Sequence, residues 1–301
     1  MSAAHISRRT ILQGFGAAPV LAFLPVARAA DARLETLSDG AFTLPTGMLS
    51  RGASPEEIKK ALAEAGLPTD VTRNPLNVSL LTRGEDLILF DCGAGPNFMD
   101  GAGKLADSLS AAKVDPARVK HVVFTHGHPD HLWGALDDFD TPAFPEATYH
   151  IAEAERDYWM SPKVYETLPE DRQAFAAGAQ RILKALEPVL KTFKPGAEVT
   201  SGVMALDTRG HTPGHVSFDV AVGSETVTVL GDALTHAVFS FRYPDWAGGF
   251  DQEPERAIAT RKRLLDKSAQ DRGRIVGYHL PAGGMGRVER AGSAYRFVSG
   301  A

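Results

Sequence analysis

The run His126-Gly127-His128-Pro129-Asp130-His131 puts three imidazoles and one carboxylate within six residues. Groups of this kind lose solvation when gathered, and a divalent cation offsets that cost by binding their deprotonated forms. The fold must therefore hold the run rigidly, with its donors converging and its tip open. The preceding residues fit that demand. Val119 to Thr125, with Val122-Val123-Phe124 at its centre, reads as a buried strand leading straight into the run.

Short apolar stretches bounded by Gly, Asp or Asn recur from residue 76 onward and alternate with amphipathic ones, the pattern of strands interleaved with helices. Val78 to Thr82 and Leu87 to Phe90, joined by Arg83-Gly84-Glu85-Asp86, predict a hairpin. Further strands are expected at Thr148 to Ile151, Val203 to Asp207, Val216 to Val222, Thr226 to Leu230 and Arg274 to Tyr278. Ser54-Pro55-Glu56-Glu57 opens a helix ending near Gly66, and Asp251 to Pro254 opens one reaching about Ala269. Gly101 to Ala112 and Leu168 to Leu190 are the other expected helices. No repeat or linker divides residues 30–301, which read as one domain.

Other expected strands end in polar groups as well. Asp91 closes the hairpin, Gly210-His211-Thr212-Pro213-Gly214-His215 follows Val203 to Asp207, Gly231-Asp232 follows Val227 to Leu230, and His279 follows Ile275 to Tyr278. Strand ends of this kind can collect at one edge of a sheet. His121 and His150 lie inside strands and read as packed or surface imidazoles. His236, four residues past Asp232, is a weaker candidate for the wall of a pocket.

Composition limits the partners. A 301-residue chain with 44% hydrophobic residues can bury a large core, and a formal charge of -5 offers no cationic face for nucleic acid. Small-molecule chemistry is the expectation. Ser7-Arg8-Arg9-Thr10-Ile11-Leu12, an acid-free apolar stretch from Gly14 to Val26 and Ala27-Arg28-Ala29 read as a twin-arginine-type export signal over residues 1–29. That reading implies the twin-arginine machinery as a partner and a periplasmic or secreted bacterial location. The apolar stretch is short and broken by Pro19 and Pro25, so stable membrane insertion is not expected. Cys92 is the only cysteine, which excludes an intrachain disulfide, and it reads as a small buried residue at a strand end. No G-x-S-x-G or H-E-x-x-H occurs, so serine-hydrolase and zincin chemistry lack support.

Taken in order, the H-x-H-x-D-H run, the later G-H-T-P-G-H, the Gly231-Asp232 pair and His279 resemble the metallo-β-lactamase superfamily. The resemblance implies an α/β fold, an αββα sandwich of two related halves with a dinuclear metal site at one edge. It assigns His126, His128 and His215 to one ion and Asp130, His131 and His279 to the other, with Asp232 bridging. His211 and Asp91 are then expected to support the ligands from behind. Two divalent metal ions, with zinc best suited to these donors, would share a bridging hydroxide, and Asp130 and Asp232 would be the catalytic carboxylates.

Asp232 sets the chain apart from antibiotic-hydrolysing zinc lactamases, which usually lack a bridging acid there. Within the superfamily it resembles most the methyl parathion hydrolase-like group, through the leader, Leu37-Ser38-Asp39-Gly40 and Ala143-Phe144-Pro145. That group's aromatic pocket maps onto Phe98, Trp159 and Phe175, and Phe42 to Gly66 is a candidate cover for its mouth. The implied substrate is a small hydrophobic lactone, aryl ester or organophosphate triester. The alternatives are a true β-lactamase and a metal-binding, non-catalytic member of the fold. A homo-oligomer is compatible with the sequence.

Overall fold

The computed structural model describes Met1 and residues 32–300. Residues 2–29 of the expected export leader lie outside the described residues. Two sheets form the centre of the fold. The first has β1 (Ala32–Pro45), β2 (Val71–Arg83), β3 (Asp86–Phe90), β4 (Val119–Val123), β5 (Thr148–Ala152) and β6 (Leu190–Phe193) in that spatial order. Its β1–β2 and β2–β3 pairs are antiparallel and the rest parallel. The second contains β7 (Glu198–Thr200), β8 (Val203–Asp207), β9 (Val216–Val222), β10 (Glu225–Val229), β11 (Arg274–Val276), β12 (Met285–Ala291) and β13 (Ala294–Ser299), ordered from β13 down to β7. Only β10 and β11 pair in parallel there.

The helices are α1 (Pro55–Glu64), α2 (Leu105–Ala111), α3 (Pro129–Leu132), α4 (Glu153–Met160), α5 (Val164–Thr167), α6 (Gln173–Leu186), α7 (Phe239–Arg242) and α8 (Pro254–Asp271). Side-chain alternation along the strands sorts them into layers. In β3, Leu87 and Leu89 join a core shared with Leu105 and Leu109 of α2 and with Ile182, Leu183 and Leu186 of α6. The intervening Ile88 and Phe90 pack instead with Val203, Phe218, Val220 and Val229 of the second sheet. On its far side that sheet packs Ile275 and Val288 against Leu264 and Leu265 of α8. The result is helix, sheet, sheet, helix. Each fully buried Leu or Ile contributes about 1.5–3 kcal/mol by leaving water, so the three cores hold the site's scaffold rigidly.

Several boundaries differ from the sequence reading for identifiable reasons. Strand β1, which the sequence reading did not mark, runs through Ser38-Asp39-Gly40 with a register shift between Ser38 and Ala41. The buried Asp39 carboxylate accepts from the backbone N–H of Ala94 at 2.7 Å and Leu105 at 2.8 Å, so this residue is a structural anchor. The expected helix Leu168 to Leu190 is shorter: Pro169 precedes a 3-10 turn at Glu170–Arg172, and Pro188 lies in another at Glu187–Val189. Leu190 then starts β6. Helix α1 begins as its sequence indicates, with Ser54 and Glu57 forming a reciprocal cap. By contrast, Asp251 does not cap α8; its carboxylate is used elsewhere.

Candidate metal centre

Strand β4 delivers the histidine run to the sheet edge, where Pro129 occupies the first turn of α3 and turns the chain after His128. His126 Nε2 and His128 Nδ1 lie 3.0 Å apart, and His128 Nδ1 is also 3.0 Å from His211 Nε2. Asp130, His131 and His279 form a second set, and His126, His131 and Asp232 a third that joins the two. The link is Asp232. Its Oδ2 lies 3.3 Å from both His211 Nε2 and His279 Nε2, and its Oδ1 lies 3.2 Å from His131 Nε2.

Two atoms test whether these donors fit a cation. Asp232 Oδ1 and His131 Nε2 are buried, lie 3.2 Å apart without hydrogen-bond alignment, and have no other partner. Unpaired buried donors and acceptors are costly, and so many convergent ring nitrogens cannot satisfy one another with protons. A divalent cation among them would satisfy both, so the donor set fits a divalent metal.

One expected ligand is corrected by the geometry. The resemblance assigns His215 to one ion, but both of its ring nitrogens are occupied. Its Nε2 accepts the backbone N–H of Asp232 at 3.0 Å, and its Nδ1 faces the Thr208 carbonyl at 3.1 Å. His211 is the imidazole turned inward. The two rings sit four residues apart in one loop, and the turn through Thr212-Pro213-Gly214 decides which faces the cluster.

The surroundings fix each ring. Asp91 has φ 64°, an uncommon value for a non-glycine residue, and this turns its carboxylate back into the site. Its Oδ2 is 2.8 Å from His131 Nδ1 and accepts the Thr125 hydroxyl at 2.8 Å, while Thr125 Oγ1 is 3.0 Å from His126 Nδ1. Asp251 Oδ1 lies 3.1 Å from His211 Nδ1, and the other oxygen accepts Arg261 at 2.9 Å. Tyr278 lays its ring 3.8 Å from that of His131 and donates its hydroxyl to the Asp130 carbonyl at 2.7 Å. The buried Asn77 side chain donates to the Tyr278 and Leu280 carbonyls at 2.8 Å each, fixing the backbone on both sides of His279. Gly231 must be glycine: a Cβ there would sit 2.8 Å from His215 Nε2, and its φ is +54°.

Electrostatics divide the rings. Burial, then the neighbouring imidazoles, holds His126 and His128 well below the ordinary histidine value, and burial takes His215 down to about 3. Burial also opposes charge on His279, but Asp232 and Asp130 outweigh it and raise the ring to about 10. His131 is raised for the same reason.

A second anchor was not legible in sequence. Glu155, fully buried on α4, accepts from the Gly127 N–H at 2.8 Å, the Trp159 indole at 2.6 Å, the Thr212 hydroxyl at 2.7 Å and the Gly214 N–H at 3.0 Å. One carboxylate thus ties the loop of His126 and His128 to the loop of His211. Because Trp159 is fully buried in this contact, it is not a pocket wall. His236 is also removed from that role, since it stacks on Phe239 at 4.4 Å and its Nδ1 accepts the Val238 N–H. His121 and His150 pair with each other at 3.1 Å on β4 and β5, and Cys92 is buried.

A chamber of about 450 Å³ opens on the cluster. Phe98 and Phe175 line it as expected, joined by Phe42, Leu44, Met48, Leu49 and Phe250. The segment from Phe42 therefore supplies part of the wall. At the rim, Arg172 lies 4.3 Å over the Phe250 ring and donates to the Gly249 carbonyl at 3.2 Å.

The family model for the metallo-beta-lactamase superfamily matches residues 71–279. An uncharacterized protein of Mycobacterium tuberculosis is 29% identical over 191 residues, covering 62% of this chain and 78% of that protein. A probable metallo-hydrolase of the same organism is 33% identical over 123 residues, 39% of this chain and 38% of its own. Among solved structures, AidC, a dizinc quorum-quenching lactonase, superposes with a TM-score of 0.85 at 26% identity, covering 89% of this chain and 94% of AidC. The hydrolase AbOPH follows at 0.82 and 28%, with the same coverages. Fold, donor cluster and the span of the match agree, and the chain belongs to the metallo-beta-lactamase superfamily.

Proposed function

We propose that the protein is a hydrolase that uses two divalent cations, zinc by preference, to open a lactone carrying an apolar substituent. The observation that carries this reading is Asp232 between two donor sets, at the floor of an apolar chamber. The likeness to a dizinc lactonase supports the substrate class. His126, His128 and His211 would hold one cation and Asp130, His131 and His279 the other, with Asp232 shared. When bound, such cations make water nucleophilic near neutral pH and polarise the carbonyl it attacks.

The chain's own residues perform the remaining tasks. Asp130, whose carboxylate lines the chamber, takes the proton released by the attacking water and returns it to the departing alkoxide. Phe42, Phe98 and Phe175 bury the apolar substituent and exclude bulk water from the reacting carbonyl. Read with the twin-arginine-type leader, this activity has a periplasmic or secreted setting.

The test is a panel of lactones with short and long acyl groups, aryl esters, a phosphotriester and a chromogenic cephalosporin, run on protein whose metal content is measured. The expected outcome is about two zinc ions per chain and lactone turnover that chelation abolishes and zinc restores. Lactones left intact while another class is turned over would replace the proposed substrate. A single ion in the fully active protein would sink the two-cation reading.

A further inference from the structure

Four of the five histidines in the donor cluster turn their outer nitrogen to an oxygen. His126 Nδ1 faces Thr125 Oγ1 at 3.0 Å, His131 Nδ1 faces Asp91 at 2.8 Å, His211 Nδ1 faces Asp251 at 3.1 Å and His279 Nδ1 faces the Pro75 carbonyl at 3.0 Å. Such contacts fix which nitrogen keeps the proton and leave the inner lone pair for a cation. His128 is reversed. It turns Nδ1 inward, and its outer Nε2 meets the carboxamide of Gln252, whose Nε2 lies 3.4 Å away.

Gln252 Oε1 is buried and has no hydrogen-bond partner. A half-turn about the last side-chain torsion exchanges the amide nitrogen and oxygen, which occupy nearly the same volume. The oxygen then meets His128 Nε2. The backbone places the amide firmly, because the Gln252 N–H donates to the His211 carbonyl at 2.9 Å and Asp251, the residue before, holds the His211 ring.

We propose that Gln252 is a positioning residue for metal binding: its Oε1 accepts the Nε2–H of His128 and so fixes the tautomer whose Nδ1 lone pair faces the cation. The inference rests on the metal-hydrolase reading above. Residues 251 and 252 then orient two ligands of one cation, Asp251 acting on His211 and Gln252 on His128. An acceptor is what the position requires. Glutamate meets that requirement and methionine, of similar length, does not.

The experiment compares the parent, Gln252→Glu and Gln252→Met by competition for Zn(II) against a chromophoric chelator, with long-range proton–nitrogen spectra of His128 in the zinc-loaded proteins. Methionine is expected to weaken zinc binding about 10- to 100-fold, and glutamate to stay within about threefold of the parent. The zinc-loaded parent is expected to carry its His128 proton on Nε2. Gln252→Met binding as tightly as the parent, Gln252→Glu losing as much as Gln252→Met, or a parent proton on Nδ1 would each overturn the proposal. A purely structural role would lower the melting temperature of both variants and leave the His128 spectrum unchanged. A parent that takes up no Zn(II) would defeat the metal reading itself, and the inference with it.

Discussion

The backbone N–H of Asp232 donates to His215 Nε2 at 3.0 Å, so the ring next to the cluster orients Asp232 and has no lone pair left for a cation. His211 and His215 should therefore respond differently to removal. His211→Ala is expected to lose about one metal ion per chain and at least about 100-fold in turnover. His215→Ala strands a buried N–H, at about 1–3 kcal/mol, and should keep its metal while turnover falls about 10-fold. Metal analysis beside turnover separates the two, and equal metal loss would refute the assignment.

Glu155 gives a prediction about stability. Four donors converge on its buried carboxylate, and burial outweighs them in raising its pKa. In Glu155→Gln one acceptor oxygen becomes an N–H₂ facing the Gly214 N–H. That substitution should cost about 2 kcal/mol in urea unfolding and weaken metal binding by loosening both histidine loops. A variant that unfolds with the parent's midpoint would show that the clamp contributes nothing.

His150 contributes to the acid limb of stability. Burial, then repulsion from His121 and Lys191, holds it near 4, while Asp86 attracts the His121 proton from the other side. Because the folded pKa lies below the ordinary 6.5, the unfolded chain binds the proton more readily. Stability from this group is complete above about pH 6.5 and is lost as pH falls toward 4, by on the order of 2 kcal/mol after allowing for its partial contact with solvent. Urea titrations at saturating zinc should show His150→Gln losing less stability than the parent between pH 7 and 4. Parallel curves would remove His150 from the account.

The sequence carried the layers of the fold well because residue-by-residue alternation marks a buried strand. Leu87, Ile88, Leu89 and Phe90 announce two buried faces without any tertiary information. It carried the edges poorly. β12 and the edge strand β13 hold Arg287, Glu289, Arg290 and Arg296 among their apolar residues, and strands at or next to a sheet edge tolerate such charge. At the site, the residue types were legible and the ring directions were not. His211 and His215 share a loop and a chemistry, and only the turn between them distinguishes inward from outward. Asp251 carried a misleading local signal, since an acid just before Pro254 resembles a helix start, whereas its partners His211 and Arg261 lie 40 and 10 residues away in sequence.

Phe175 offers the most direct test of the chamber. Its ring lies 5.9 Å from that of His128 and 6.4 Å from that of Phe98, on the wall beside the cluster. Phe98 also packs edge-on against Phe42 and Trp133, so its removal would disturb the wall as a whole. Phe175→Ala instead removes one apolar face and leaves the donors in place. Losing about 50 Å² of apolar contact at about 25 cal/mol per Å² weakens binding of a long acyl group roughly 10-fold. The expected signature is a KM raised by that factor for long-chain lactones, a smaller rise for short-chain ones and kcat within about threefold of the parent. A fall in kcat with KM unchanged would place Phe175 with the reacting groups and not with the substituent.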